Sequence, residues 1–226
     1  MNAAQLLKNE RVAMVQFLAE LKAEQWHAAT LCEGWDVKTI VAHLVVRDTQ
    51  PLRYGTAIAT KGRIGAQPKA LLHAARNRPI RSLLSTLADG PPWFYRLPGP
   101  AAIINLVENW VHHEDMRRGE LQITRTTSAA THAALWNTLQ VTARLMLRHI
   151  TVSGIVALVQ PNGTALAFSV GDGLPKKADP DHAAVRVVGE AGEIVLFLLG
   201  RKSAANLRFE GDQRLIAALR DTKMKI

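Results

Sequence analysis

A chain of 226 residues with 48% apolar and 21% charged residues can build a packed core, which excludes collagen-like, low-complexity and disordered classes. Its longest apolar run, residues 194–199 before Gly200, is far too short to span a bilayer. The formal net charge of +9 favours anionic partners without choosing among nucleic acid, a membrane surface and small acidic substrates.

Residues 3–22 place Leu7, Met14, Val15, Leu18 and Leu21 near helical spacing and predict an amphipathic helix. A loop through Thr30 and Gly34 follows. Asp36 is suited to cap a second helix, in which Val37, Ile40, Val41, Leu44 and Val45 keep an i, i+3, i+4, i+7, i+8 pattern. Helical patterning at 69–87 contains Pro79, which either kinks the helix or splits it in two. Glycines and prolines between 89 and 100 mark a loop, and helical patterning returns at 101–118 and 128–149. Four main helices joined by loops predict a bundle. After His149 the period changes. Residues 152–159 and 165–170 read as a hairpin around Pro161-Asn162-Gly163-Thr164, with Asn-Gly supplying positive φ values. A strand at 184–188, a buried helix at 190–199, a strand at 207–209 and a last helix capped by Asp212 complete a small α+β domain. The expected fold class is mainly α with a small α+β part, divided into domains at 1–150 and 151–226.

The charge is uneven: no acidic residue lies between Asp48 and Asp89, where Arg53, Lys61, Arg63, Lys69, Arg76, Arg78 and Arg81 all occur. No nucleic-acid motif accompanies them and aromatics are only 5%, so a solvated basic face is the expectation and no nucleic-acid or membrane partner is expected. The N-terminal residues carry no export signal, which predicts a cytoplasmic protein. Cys32 is the single cysteine and cannot form an internal disulfide, so any metal must be held by histidines and carboxylates. Cys32 itself reads as a small core residue.

On a helical projection of 101–118 the apolar stripe runs through Ile104, Val107 and Val111, and Glu108, His112 and Asp115 fall on or beside it. A carboxylate turned toward a core needs a partner or a cation. Glu108 and His112, four residues apart, can reach one metal ion, whereas His113 points away. His43, flanking the apolar stripe of the second helix, is the best third ligand. His27, His73, His132, His149 and His182 are less suitable, lying in loops, in the basic segment or at helix ends.

Leu31-Cys32-Glu33-Gly34-Trp35-Asp36-Val37, followed by Val41-Ala42-His43-Leu44, resembles the first signature of the mycothiol-dependent maleylpyruvate isomerase family, within the DinB-like superfamily. The run from Glu108 through His112 and Asp115 to Arg118 is similar to that family's second signature, in matching order and spacing. The C-terminal Val187-Val188-Gly189-Glu190, Leu198-Leu199-Gly200-Arg201 and Glu210-Gly211-Asp212 resemble the small sterol-carrier-like domain that often follows. The resemblance implies a DinB-like four-helix bundle holding a divalent metal, usually Zn2+, through His43, Glu108 and His112, with coordination open to a thiol cofactor, mycothiol, or to water. Asp115 would be a fourth ligand or would orient the His112 ring. The implied chemistry is isomerisation or thiol transfer on a small electrophilic, anionic substrate, in which a thiolate adds to a conjugated dicarboxylate and is expelled after bond rotation. Arg201 is the candidate catalytic arginine for such a substrate, and equally a helix-terminal surface residue. Two further classes fit the sequence: a non-catalytic metal-binding or stress-response protein, and a carrier or sensor whose C-terminal domain binds a small apolar ligand, although its apolar run at 194–199 is just as well explained as core.

Overall fold

The computed structural model describes residues 2–60, 68–93, 99–173 and 178–222. Internal contacts divide it into two units, Met1–Arg125 and Thr126–Ile226.

The first unit holds six helices among its described residues: α1 (Ala3–Ala19), α2 (Val37–Thr49), α3 (Pro51–Ala59), α4 (Pro68–Arg76), α5 (Ile80–Asp89) and α6 (Pro100–Arg118). The sequence signals act as expected at two boundaries. Asp36 caps α2, its Oδ1 accepting from the Thr39 N–H at 2.8 Å, and the predicted third helix is split at Pro79, which precedes α5. α1, α2, α5 and α6 pack as a bundle around Met14, Leu18, Ile40, Leu44, Leu83, Leu87 and Met116. α4 lies against α2 through Ala42, Val46, Leu71 and Ala75. α3 was not foreseen: its large apolar side chains Leu52 and Ile58 are 85% and 53% exposed and do not mark its buried face, and Pro51 at its first turn is its main signal.

The C-terminal half of α6 is enclosed nearly all round, so the expected single stripe does not describe it. Ile104 is 60% exposed, whereas Asn109, His112, His113, Glu114 and Asp115 are buried. These polar groups have partners. Asn109 accepts from Arg11 Nη1 at 3.0 Å, and the same guanidinium reaches Asp48 and the Leu87 carbonyl, both at 2.6 Å, joining α1, α2, α5 and α6. The loop before α2 is fixed to the end of α6. Leu31 N–H donates to the Asp115 carbonyl at 3.2 Å and Glu120 N–H to the Ala29 carbonyl at 2.8 Å. At Gly119 an added Cβ would lie 2.3 Å from that Ala29 oxygen, so only glycine permits the approach.

The second unit contains α7 (Ala129–Leu147), β1 (Gly154–Val159), β2 (Ala165–Val170), β3 (Val185–Val188), α8 (Ala191–Leu198), β4 (Arg208–Gly211) and α9 (Gln213–Asp221). The sheet order is β2-β1-β3-β4, with β1 parallel to β3 and the other pairs antiparallel. α7 packs on α8 and β2, so this division differs from the expected boundary at residue 150. The hairpin forms, but only Gly163 of the Asn-Gly pair has positive φ, and Gly163 N–H donates to the Gln160 carbonyl in a wider turn. The apolar run that had suggested a ligand carrier is core: Ile194, Leu196 and Leu198 are fully buried.

Asp36 does more than cap α2: its carboxylate also receives Arg76 Nη2 from α4 at 2.6 Å. Burial opposes its charged form, but hydrogen bonds from Arg76 and Thr39 outweigh burial and hold its pKa at about 2, below the usual 3.8. Because the folded value is depressed, this contribution is complete above about pH 4 and disappears as pH falls through about 2. Asp36→Ala is expected to cost roughly 1 kcal/mol at neutral pH in denaturant unfolding, with the gap from the native protein closing in acid. A gap independent of pH contradicts the assignment.

Candidate metal centre

His43 and Arg47 project from one face of α2, and Glu108 and His112 from one face of α6, each pair four residues apart. Across the two helices, the His43 and His112 Nε2 atoms both converge on Glu108 Oε1, at 3.0 and 3.3 Å. The ligand atoms of these three side chains lie within 4.8 Å of one another, as metal binding requires. The three residues singled out from the sequence are therefore brought together.

Each imidazole has its other nitrogen engaged. His112 Nδ1 is 2.9 Å from Asp115 Oδ2, a carboxylate with no exposed surface, and His43 Nδ1 is 3.1 Å from the Tyr54 hydroxyl of α3. An ionised carboxylate only accepts, so Asp115 fixes a proton on His112 Nδ1 and turns Nε2 toward Glu108. The Tyr54 hydroxyl donates or accepts, so it can follow a change of His43 tautomer. Trp35 packs over both rings, with centroids 5.2 Å from His43 and 6.3 Å from His112. Its loop is held by Trp35 N–H donating to the Cys32 carbonyl at 2.9 Å.

Burial raises the Glu108 pKa, but hydrogen bonds from His112 and His43 and the charge of Arg47 overcome it and hold the carboxyl well below its usual range. Burial and the neighbouring cations lower His43. His112 moves the other way: burial is outweighed by hydrogen bonds to Asp115, Cys32 and Glu108, and its pKa lies well above the usual value.

Cys32 packs against the core, as expected, but it also donates from Sγ to Asp115 Oδ2 at 3.1 Å and lies 4.0 Å from His112 Nδ1. Cys32, His112 and Asp115 form a second group with metal-ligand spacing. It shares His112 with the first group and uses the nitrogen that Asp115 already occupies.

His113 lies on a different face of α6, but it is no surface residue. It is fully buried, with Nδ1 2.7 Å from Glu10 and Nε2 accepting from Arg117 at 2.8 Å. Glu10 also meets Arg125 at 2.7 Å, and Arg125 meets Glu114 at 2.6 Å. Of the other histidines, His27 contacts Asp36, His132 accepts from Gly192 N–H, and His182 pairs with Asp179. Arg201 follows α8 in the second unit and donates from Nη1 to the Leu199 carbonyl at 2.7 Å. In the basic segment, Arg76 and Arg78 bind protein groups, Asp36 for one and Ser82 and Thr86 for the other, while Lys61 and Arg63 lie outside the described residues. Arg47 and Tyr54, both touching the cluster, were missed by sequence reasoning. The i, i+4 spacing of Arg47 from His43 was the available signal for Arg47.

A family model described as the mycothiol maleylpyruvate isomerase N-terminal domain matches residues 7–117, the stretch that contains the whole cluster. Residues 7–117 are thus similar to the N-terminal domain of this family. Two crystal structures share its fold, one of a mycothiol-dependent maleylpyruvate isomerase and one of a histidine-to-alanine mutant of such an isomerase. Their TM-scores are 0.58 and 0.57, each at 14% identity, covering 92% of this chain and 91% of theirs. No curated protein sequence matches the chain. The isomerase fold thus extends over both units, helical first and α+β second.

The roles of the adjacent histidines separate cleanly in stability. His113→Ala removes a fully buried ring and its hydrogen bonds to Glu10 and Arg117, so a loss of roughly 2–4 kcal/mol is expected in denaturant unfolding. A loss under about 1 kcal/mol contradicts its place in the buried ion network.

Proposed function

We propose that this protein is a divalent-metal-dependent enzyme that uses a low-molecular-weight thiol, mycothiol by the similarity of residues 7–117 to the isomerase family, to isomerise or transfer onto a small electrophilic anion. The observation that carries the reading is the convergence of two imidazole Nε2 atoms on one carboxylate oxygen, with both Nδ1 atoms taken by other partners. This is how metal-binding histidines are ordinarily held: the outer nitrogen is fixed so that the inner one keeps its aim. Two nitrogens and one carboxylate oxygen suit zinc better than a hard cation, and three protein ligands leave a position open.

When bound by His43, Glu108 and His112, zinc supplies a Lewis acid that favours the thiolate form of a thiol near neutral pH. The protein's own groups prepare for this. Asp115 holds the Nδ1 proton of His112 and makes its imidazole a stronger donor, while Tyr54 steadies His43. Trp35 covers the rings with apolar surface, limiting water on that side. The excess of basic residues in the chain suits an anionic substrate.

Metal analysis of the purified protein, paired with a screen of mycothiol against maleylpyruvate and other conjugated acids, tests the reading. The expectation is about one zinc per chain, lost in His112→Ala and kept in folded His113→Ala, with thiol-dependent turnover only in metal-loaded protein. Equal metal content in the two variants removes the assigned ligands. A zinc-loaded protein without thiol-dependent turnover leaves a metal-binding protein and refutes the enzymatic part. Cys32→Ala is expected to retain zinc and turnover at a stability cost of about 1 kcal/mol, because sulfur is not in the proposed ligand set. Arg201 is proposed as an anion contact for the substrate. Arg201→Ala should raise KM without loss of metal, and unchanged kinetics removes it from the reaction.

A further inference from the structure

Arg47 places at the cluster a cation that the ligand set does not require. It leaves the same face of α2 as His43, and its Nη1 lies 2.9 Å from Glu108 Oε1, the oxygen that both imidazoles approach. Its Nη2 reaches Asn105 Oδ1 only at 3.5 Å, the outer limit of a hydrogen bond. The Arg47 and Glu108 side chains are 26% and 27% exposed, against 8% for His43 and 11% for His112. The guanidinium therefore stands on the solvent side of the cluster, with the two rings recessed behind it.

A single carboxylate oxygen cannot satisfy two imidazoles, a metal ion and a guanidinium at full strength. A cation held by His43, Glu108 and His112 draws on the negative charge that now faces Arg47. The guanidinium is then left beside a second positive charge, with part of its fork open to solvent. Two adjacent cations sharing one carboxylate favour an added anion, and the planar guanidinium fork matches a carboxylate better than an ammonium does. Arg76 and Arg78 of the neighbouring basic segment are each bound to protein groups, so they do not offer the same open fork at the cluster.

We propose that Arg47 is the anion-recognition residue of this site, docking one carboxylate of a small dicarboxylate ligand beside the His43, Glu108 and His112 cluster. The proposal rests on the metal-binding reading above and names what selects the ligand. It also predicts opposite consequences for ligand and metal: removing the cation weakens the anion while easing the electrostatic load on a divalent ion.

Calorimetric titration of zinc-loaded protein with succinate, an unreactive dicarboxylate, and with succinamide, its neutral counterpart, tests the proposal. The native protein is expected to bind succinate in clear preference to succinamide. Arg47→Gln should weaken succinate binding by about tenfold or more, as for the loss of one charge-assisted contact, with zinc content unchanged. Arg47→Lys keeps the charge without the fork and should fall between the two. A zinc-loaded Arg47→Gln protein that binds succinate as the native protein does overturns the proposal, and so does a native protein that does not prefer succinate. Loss of zinc from Arg47→Gln also overturns it, because the arginine would then serve to hold Glu108 in place. Failure of the native protein itself to hold zinc removes the underlying metal reading, an outcome distinguishable from all of these.

Discussion

The constraint on which the first unit depends is that α6 carries His112, His113, Glu114 and Asp115 in succession into a packed interior, where an unanswered charge is costly. The structure answers them on different sides. Glu114 is paired with Arg118 and Arg125, and His113 with Glu10, which ties α1 and the segment after α6 to one helix. Asp115 is turned toward His112 and Cys32. What remains is Glu108, whose carboxylate gathers His43, His112 and Arg47. The same demand that every buried charge have a partner thus produces a structural network on one side and the candidate metal centre on another.

The centre is prepared by residues that do not belong to it. Asp115 and Tyr54 set the aim of the two imidazoles, and the Cys32–Trp35 turn sets the wall over them. That turn is in place because Leu31 bonds to the Asp115 carbonyl and because Gly119 lets the chain approach Ala29. The Arg11 hydrogen bonds to Asp48, Asn109 and Leu87 hold the helices that carry His43, Glu108 and His112. Side chains held this way would need little rearrangement to receive a cation, which is the physical content of preorganisation.

Much of this was legible in the sequence where spacing is local. Glu108 and His112 are one helical turn apart, Asp36 and Asp212 sit where helix caps belong, and Pro79 separates two helices. Contacts between distant segments were not legible: Tyr54 meets His43 through a helix whose apolar side chains are largely exposed, and Arg47 meets Glu108 across 61 positions of sequence, the difference between their numbers. The apolar stripe through Ile104 was misleading, because a helix enclosed on several sides buries asparagine, histidine and carboxylate as readily as valine once each is hydrogen-bonded. Helix α7 likewise looks from its period like another bundle helix, yet its partners are α8 and β2.

Among the described residues two groups with metal-ligand spacing share His112, one without sulfur and one containing Cys32, and choosing between them is the central claim. X-ray absorption at the zinc edge of the metal-loaded protein reads the ligand atoms directly. The account predicts nitrogen and oxygen neighbours at about 2.0–2.2 Å, imidazole scattering from two histidines and no sulfur. A sulfur neighbour near 2.3 Å, or scattering from a single imidazole, would place the ion at Cys32, His112 and Asp115 and contradict it.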